Sequence, residues 1–155
     1  MSNPDDESSN RIEQLHLQFA DDIDTADSII KSDGGLVKWV QDLFGDELRL
    51  VGVYNQNTFE LLYATTPIYE QYTQQEVTAT GEEFVLSDMR EDAYQEQLYH
   101  LGSYQYAVHG FEDGQVFRIP LEDTTGIVIS FDRTADIPVP RFVTELKDHN
   151  KVVFQ

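Results

Sequence analysis

Three short runs in the last third of the chain set what it can fold into. Tyr104 to Phe111, Gln115 to Pro120 and Gly126 to Phe131 are rich in β-formers, and Glu112-Asp113-Gly114 and Glu122-Asp123-Thr124-Thr125 separate them. In the third run Ile127, Ile129 and Phe131 alternate with Val128 and Ser130, so one face of a strand formed there is strongly apolar and must be covered. Runs this closely spaced pair most economically as an antiparallel meander.

Two further runs, Leu48 to Tyr54 and Thr58 to Ala64, flank Asn55-Gln56-Asn57, whose residues tolerate left-handed turn geometry, and predict a β-hairpin. Helical spacing occupies the rest. Ile29, Ile30, Leu36, Val37, Val40, Leu43 and Phe44 follow it around Asp33-Gly34-Gly35. Either the glycine pair breaks this pattern into two pieces, or Ser32 or Asp33 caps a shorter helix ending near Gly45. Thr66-Pro67 reads as a cap with a first-turn proline, and Thr73 to Glu76 has capping-box spacing, which predicts a helix with Val77, Phe84, Val85 and Met89 inward. Tyr94, Leu98 and Leu101 share a further helical face that stops at Gly102. Pro138 and Pro140 bar strand pairing, and Arg141 to Asn150 reads as a terminal helix. Near the start, Ile12, Leu15, Phe19 and Ile23 mark an amphipathic helix with a narrow apolar stripe.

The order of these elements predicts an α+β domain with one five-stranded antiparallel sheet and helices packed on one face. Residues 1–9 read as a mobile acidic N-terminus, 10–24 as the amphipathic helix, 26–150 as the single domain including the C-terminal segment 133–150, and 151–155 as an apolar tail.

Composition limits the chemistry. Of 155 residues, 29 are acidic and 10 basic, for a net charge of −19, yet 40% are hydrophobic, too many for a disordered acidic chain. Such a surface repels phosphate, which removes nucleic acid as a partner. Spread acids and scarce lysine suit molar salt, where the Debye length is about 3 Å, so the expectation is a salt-adapted protein. The absence of cysteine removes disulfides, thiolate zinc sites and iron–sulfur clusters. No apolar run approaches membrane-spanning length and Asp5, Asp6 and Glu7 stand where a signal peptide is basic, so the expected location is the cytoplasm without membrane insertion.

The element order resembles that of roadblock or longin-like domains and is similar to the PAS and profilin-like arrangement. Over residues 26–150 this resemblance implies a regulatory scaffold that dimerises, binds a partner or holds a small ligand. A more local resemblance, carried by Leu98-Tyr99-His100-Leu101-Gly102, Val116 to Leu121, Gly126 to Arg133 and Pro138 to Phe142, is to a group of small haloarchaeal proteins of unassigned function. It implies the salt-adapted single domain and transfers no catalytic residue.

Catalytic signatures are missing. His16, His100, His109 and His149 lie on four segments without metal-ligand spacing, Ser130 lacks a nucleophile elbow, and Gly34-Gly35 belongs to no phosphate loop. No cofactor, metal or catalytic residue is expected. Candidate contacts follow from the charge map. Residues 133–155 carry +1 while the remainder carries −20, and this spared tail ends in Val152-Val153-Phe154. Arg141, Phe142, Val152, Val153 and Phe154 are therefore candidate interaction residues, with Ile12, Leu15 and Phe19 of the first helix beside them. Phe84, Tyr104, Tyr106, His109 and Phe117 are candidate pocket residues between sheet and helices. The resulting expectation is a non-enzymatic cytosolic regulatory or interaction domain whose partner is itself, as a homodimer, or another protein. The alternatives are a small-molecule sensor and, least favoured, an enzyme.

Overall fold

In the computed structural model, which describes residues 28–65, 74–93, 98–122, 124–149 and 151–155, the expected hairpin and meander are joined in one sheet. Strands β2 (Leu48–Tyr54), β3 (Phe59–Ala64), β4 (Ala107–Gly110), β5 (Gly114–Glu122) and β6 (Thr125–Asp132) are antiparallel in the order β3-β2-β6-β5-β4. β6 is central and makes ladders with β2 and β5, which closes the hairpin onto the meander. The expectations for Ile12, Leu15, Phe19, His16, Thr66-Pro67, Thr73 and Tyr94 fall outside the described residues.

Helices cover both faces of the sheet, which corrects the expectation of one covered face. Val51, Val53, Phe117, Ile119, Ile127, Ile129 and Phe131 meet α1 (Leu36–Phe44) and α3 (Val139–His149) through Leu36, Val40, Phe142, Val143 and Leu146. On the opposite face Leu50, Tyr54, Leu61 and Val128 meet Val85 of α2 (Gln74–Ala93). The reason lies in β6 and β2. Val128, Leu50 and Tyr54 make the second face apolar as well, so a strand read as one-sided is buried on both sides.

The Ile29 and Ile30 end of the helical pattern is not helical, since Ile30–Ser32 forms strand β1, and the helix is the shorter one that stops at Gly45, with Gly35 and not Ser32 or Asp33 as its N-cap. Gly34 and Gly35 both have positive φ, with the Ser32 and Asp33 side chains accepting their N–H groups, and α1 begins directly after them. Lys151 crosses Gly34 so closely that a Cβ there would lie 2.4 Å from the Lys151 carbonyl oxygen. Beyond that crossing β7 (Val153–Phe154) pairs with β1 (Ile30–Ser32), and the Gln155 N–H donates to the Ile29 carbonyl at 3.0 Å. The apolar tail thus packs on its own chain, with Val152 and Phe154 half-buried against the main core.

β4 is shorter than the run Tyr104 to Phe111 that announced it, and its ladder explains why. The Phe111 N–H donates to the Gly114 carbonyl at 2.7 Å, which together with the register makes 109/116 and 107/118 the other hydrogen-bonded pairs. The next such pair would face Pro120, which has no N–H to give.

Phe142 sits at the centre of the larger core. It is 1% exposed, meets Phe44 and Phe117 edge-on with ring centroids 5.3 and 5.2 Å apart, and stacks on Trp39 at 5.9 Å. Its candidacy as an interaction residue is corrected accordingly, because its surface is already spent on intramolecular contacts. Phe142→Ala should lower unfolding free energy by about 3–5 kcal/mol through the cavity it opens, as read by chemical denaturation.

Candidate functional site

The α2 face of the sheet holds a buried polar cluster inside an apolar layer. Among the described residues Arg118 of β5 is the one charged side chain that is buried. Strand alternation puts it on the same face as Val128 across the ladder, and its Nε donates to Asp88 Oδ1 of α2 at 2.8 Å. The hydroxyl of Tyr54 donates to Asp88 Oδ2 at 2.5 Å and that of Tyr104 to Oδ1 at 3.2 Å, so one carboxylate collects a guanidinium and two phenols. Gly126 makes room for this, since a Cβ there would lie 2.2 Å from the Tyr54 hydroxyl oxygen. Arg118 also stands over the Phe84 ring, 5.4 Å from its centroid, while its Nη2 is buried without a hydrogen-bond partner among the described residues.

Burial and the Asp88 charge hold both phenols in their neutral form. Burial first, then Asp88, pushes the Tyr104 pKa up to about 12, and Tyr54 is driven higher still by burial and by its hydrogen bond to Asp88. Burial is the largest single influence and opposes the Arg118 charge, but the charge and hydrogen bond of Asp88 together with Tyr104 and Tyr54 raise the guanidinium pKa. The cluster holds no activated nucleophile. It fixes the roll of α2 on the sheet.

Beside the cluster lies a cleft of about 460 Å³, walled by Asp88 and Met89 of α2, by Tyr104 and Gln105, by Pro120 to Glu122 of β5 and by Lys147 of α3. It opens where β4 has ended. The Lys147 ammonium donates to the Gln105 side-chain carbonyl across it. Among the described residues no group of three side chains is arranged to hold a metal ion.

The expected pocket residues do not converge. Phe84 lies against Tyr54 and Phe59 on the α2 face, with Tyr104 nearby in the cluster. Tyr106 stacks on the fully buried Phe117 on the other side of the sheet, and His109 is exposed on β4. Of the five, Tyr104 alone lines the cleft. Among the interaction candidates, Arg141 is exposed and pairs with Glu145 at 2.9 Å, Val153 is exposed, and Val152 and Phe154 are half-buried. Met89, placed inward from helical spacing, is 55% exposed. The Arg118–Asp88 pair lies outside the expectations drawn from the sequence. Its one signal was a charged residue in the middle of the apolar run Val116 to Leu121, which demands a buried partner.

A second feature emerges at the β4 edge of the sheet, on which no further strand pairs among the described residues. Residues 97–111 contain no acidic, lysine or arginine residue, although the chain averages one acid in about every five positions. This run supplies β4 and its flanks, and it leaves Leu98, Leu101, Val108 and Phe111 exposed.

A family model described as a domain of unknown function, DUF7522, matches residues 34–151. The chain belongs to this family. No curated protein matches it. Among solved structures the chain is similar to MglB with a tetrameric arrangement, at TM-score 0.50 and 14% identity, over 75% of this chain and 80% of that one. It also resembles Myxococcus xanthus MglB, at 0.49 and 11% over 66% and 73%, and a roadblock/LC7 domain from Streptomyces avermitilis, at 0.44 and 8% over 66% and 85%. This DUF7522 chain therefore has an α+β fold similar to that of MglB, and no helix among its described residues is long and apolar enough to cross a membrane.

Removing Asp88 isolates the Arg118 charge. Asp88→Ala should cost about 3–5 kcal/mol of unfolding free energy in denaturant titrations. The phenols set an alkaline limit. A raised folded-state pKa gives stability that is complete below the ordinary phenol value of 10.0 and is lost as pH climbs toward about 12 for Tyr104. Tyrosinate absorbance should accordingly show two late-titrating phenols that ionise together with unfolding.

Proposed function

We propose that this chain is a non-enzymatic regulatory or interaction domain of a salt-adapted cytoplasm that pairs with a second copy of itself along β4. The observation that carries the reading is the bare edge. Sheet edges are ordinarily guarded by lysine, proline or covering elements, and β4 has the sequence Ala107-Val108-His109-Gly110 with Phe111 beyond it. The ladder to β5 uses the N–H groups of 107, 109 and 111, which turns those of Val108 and Gly110 outward. A two-fold copy of an uncharged strand meets itself without the like-charge repulsion that an acidic stretch would bring. A tetrameric arrangement recorded for MglB, which has this fold, supports self-association.

Sedimentation equilibrium tests this, because Val108→Pro removes an outward N–H while leaving the β4–β5 bonds intact, and Phe111→Asp places a charge on the exposed end. The wild type should be dimeric, more tightly at about 1 M potassium chloride than at about 0.1 M as the Debye length falls from about 10 to about 3 Å. Each variant should weaken association at least about tenfold while keeping its circular dichroism. A monomeric wild type at both salts, or variants that associate unchanged, would overturn the reading.

A further inference from the structure

The uncharged strand β4 contains one titratable side chain. His109 is exposed within Ala107-Val108-His109-Gly110, and no carboxylate among the described residues lies within ion-pair distance of it. What it meets when two copies pair is set by the backbone.

The N–H groups of 107, 109 and 111 are turned toward β5, so Val108 and Gly110 are the outward bonding positions of the strand. In an antiparallel pair, outward positions bond outward positions. Val108 of each copy opposite Gly110 of the other satisfies both positions of both copies within the strands. Other registers give this up. Val108 opposite itself hands Gly110 to Tyr106, which precedes the strand, and Gly110 opposite itself hands Val108 to Glu112, a charged turn residue. In the favoured register the two-fold axis passes through His109. The two histidines then face each other at a non-hydrogen-bonded position, with Cα atoms about 4.5 Å apart.

An imidazolium placed there finds no acid to relieve it. Across β5 stands Val116, packed into the core under α2, and next on that face is Arg118, whose charge is closed on Asp88. α2 lies over β2 and β3, and the ion pair it makes with β5 among the described residues is that one. Glu112 and Asp113 occupy the turn beyond Phe111, and in this register Glu112 of one copy falls opposite Tyr106 of the other, three positions from the axis. The second copy brings Ala107, Phe111 and its own His109 to the same face. Two protonated histidines would repel across the axis, and each would lose water without gaining a partner. We infer that pairing along β4 is gated by protons at His109, closed when the two imidazoles are neutral and opened when they are charged. The gate rests on the β4 pairing proposed above.

Sedimentation equilibrium of the full chain at about 1 M potassium chloride, where the Debye length is about 3 Å, screens the long-range field of the acid coat. Between about pH 8 and about pH 5.5 histidines gain their charge while carboxylates stay ionised. The wild-type dimer should weaken at least about tenfold over that range, and His109→Gln should match the wild type at the upper pH and change less than about twofold. His16, His100 and His149 lie on other segments, so the variant separates their titration from that of His109. The register has its own readout. The chain has no cysteine, so under mild oxidation His109→Cys should cross-link two copies, and Val108→Cys, two positions out of register with itself, should not. Unchanged circular dichroism confirms that each variant folds. A wild type that is monomeric at pH 8 would remove the β4 pairing and the gate with it. A dimer at pH 8 that holds equally at the lower pH, a glutamine variant that follows the wild-type pH curve or does not dimerise, or cross-linking at 108 in place of 109 would overturn the gate alone.

Discussion

The Arg118–Asp88 pair is the contact on which the arrangement of this fold turns. A charge in mid-strand is costly in an apolar layer, and one carboxylate brought in by α2 makes it tolerable. The two hydroxyls that complete the carboxylate's shell come from β2 and from the segment before β4, so a single group ties a helix to both halves of the sheet. Apolar packing alone would let α2 slide or roll at small cost, since Val85 is its one fully buried apolar side chain among those described. Directional bonds remove that freedom, and they decide which side of α2 faces solvent.

Charge is distributed unevenly about this frame. Between residues 74 and 122, the stretch that contains α2 and the free edge, ten acids face two basic residues, one of which is the internally paired Arg118. The α3 segment and tail are nearly neutral. Within the acidic half, the uncharged run from 97 to 111 is an interruption, and it coincides with an edge strand whose outer backbone groups have no sheet partner among the described residues. Within that acidic half, approach of another acidic surface is opposed over the range of the field except at this neutral window.

Much of the architecture was legible in the chain. The hairpin around Asn55-Gln56-Asn57 and the meander from 107 to 132 followed from period-two patterning and turn residues, because those are local signals. The covering of the second face was not legible. Val128 looked like the lesser partner in an alternating strand, and only the sheet order shows Leu50 and Tyr54 beside it. The site was less legible still. Asp88 is one of 29 acids and lies thirty positions from Arg118, so nothing local distinguishes it. The aromatic pocket failed for a related reason, since residues two apart on a strand share a face but residues on different strands share one only when register is known, and Phe117 turned out to lie across the sheet from Phe84.

The ribbon of β1 and β7 gives the molecule a directional response to force. Because the two strands are antiparallel and Ile30 lies opposite Phe154, Ser28 and Gln155 leave the ribbon at the same end. Tension applied at those two residues would peel its bonds one after another instead of loading them in parallel, so the clasp opens as a zipper. The first resistance met on the Ser28 side is the grip of Glu60 on Ser28 and on the Ile29 N–H, which anchors that end to β3. The chain thus carries a mechanically weak joint in series with a strong sheet, and stress at its ends is released in the joint before it reaches the β4 edge or the α2 clamp.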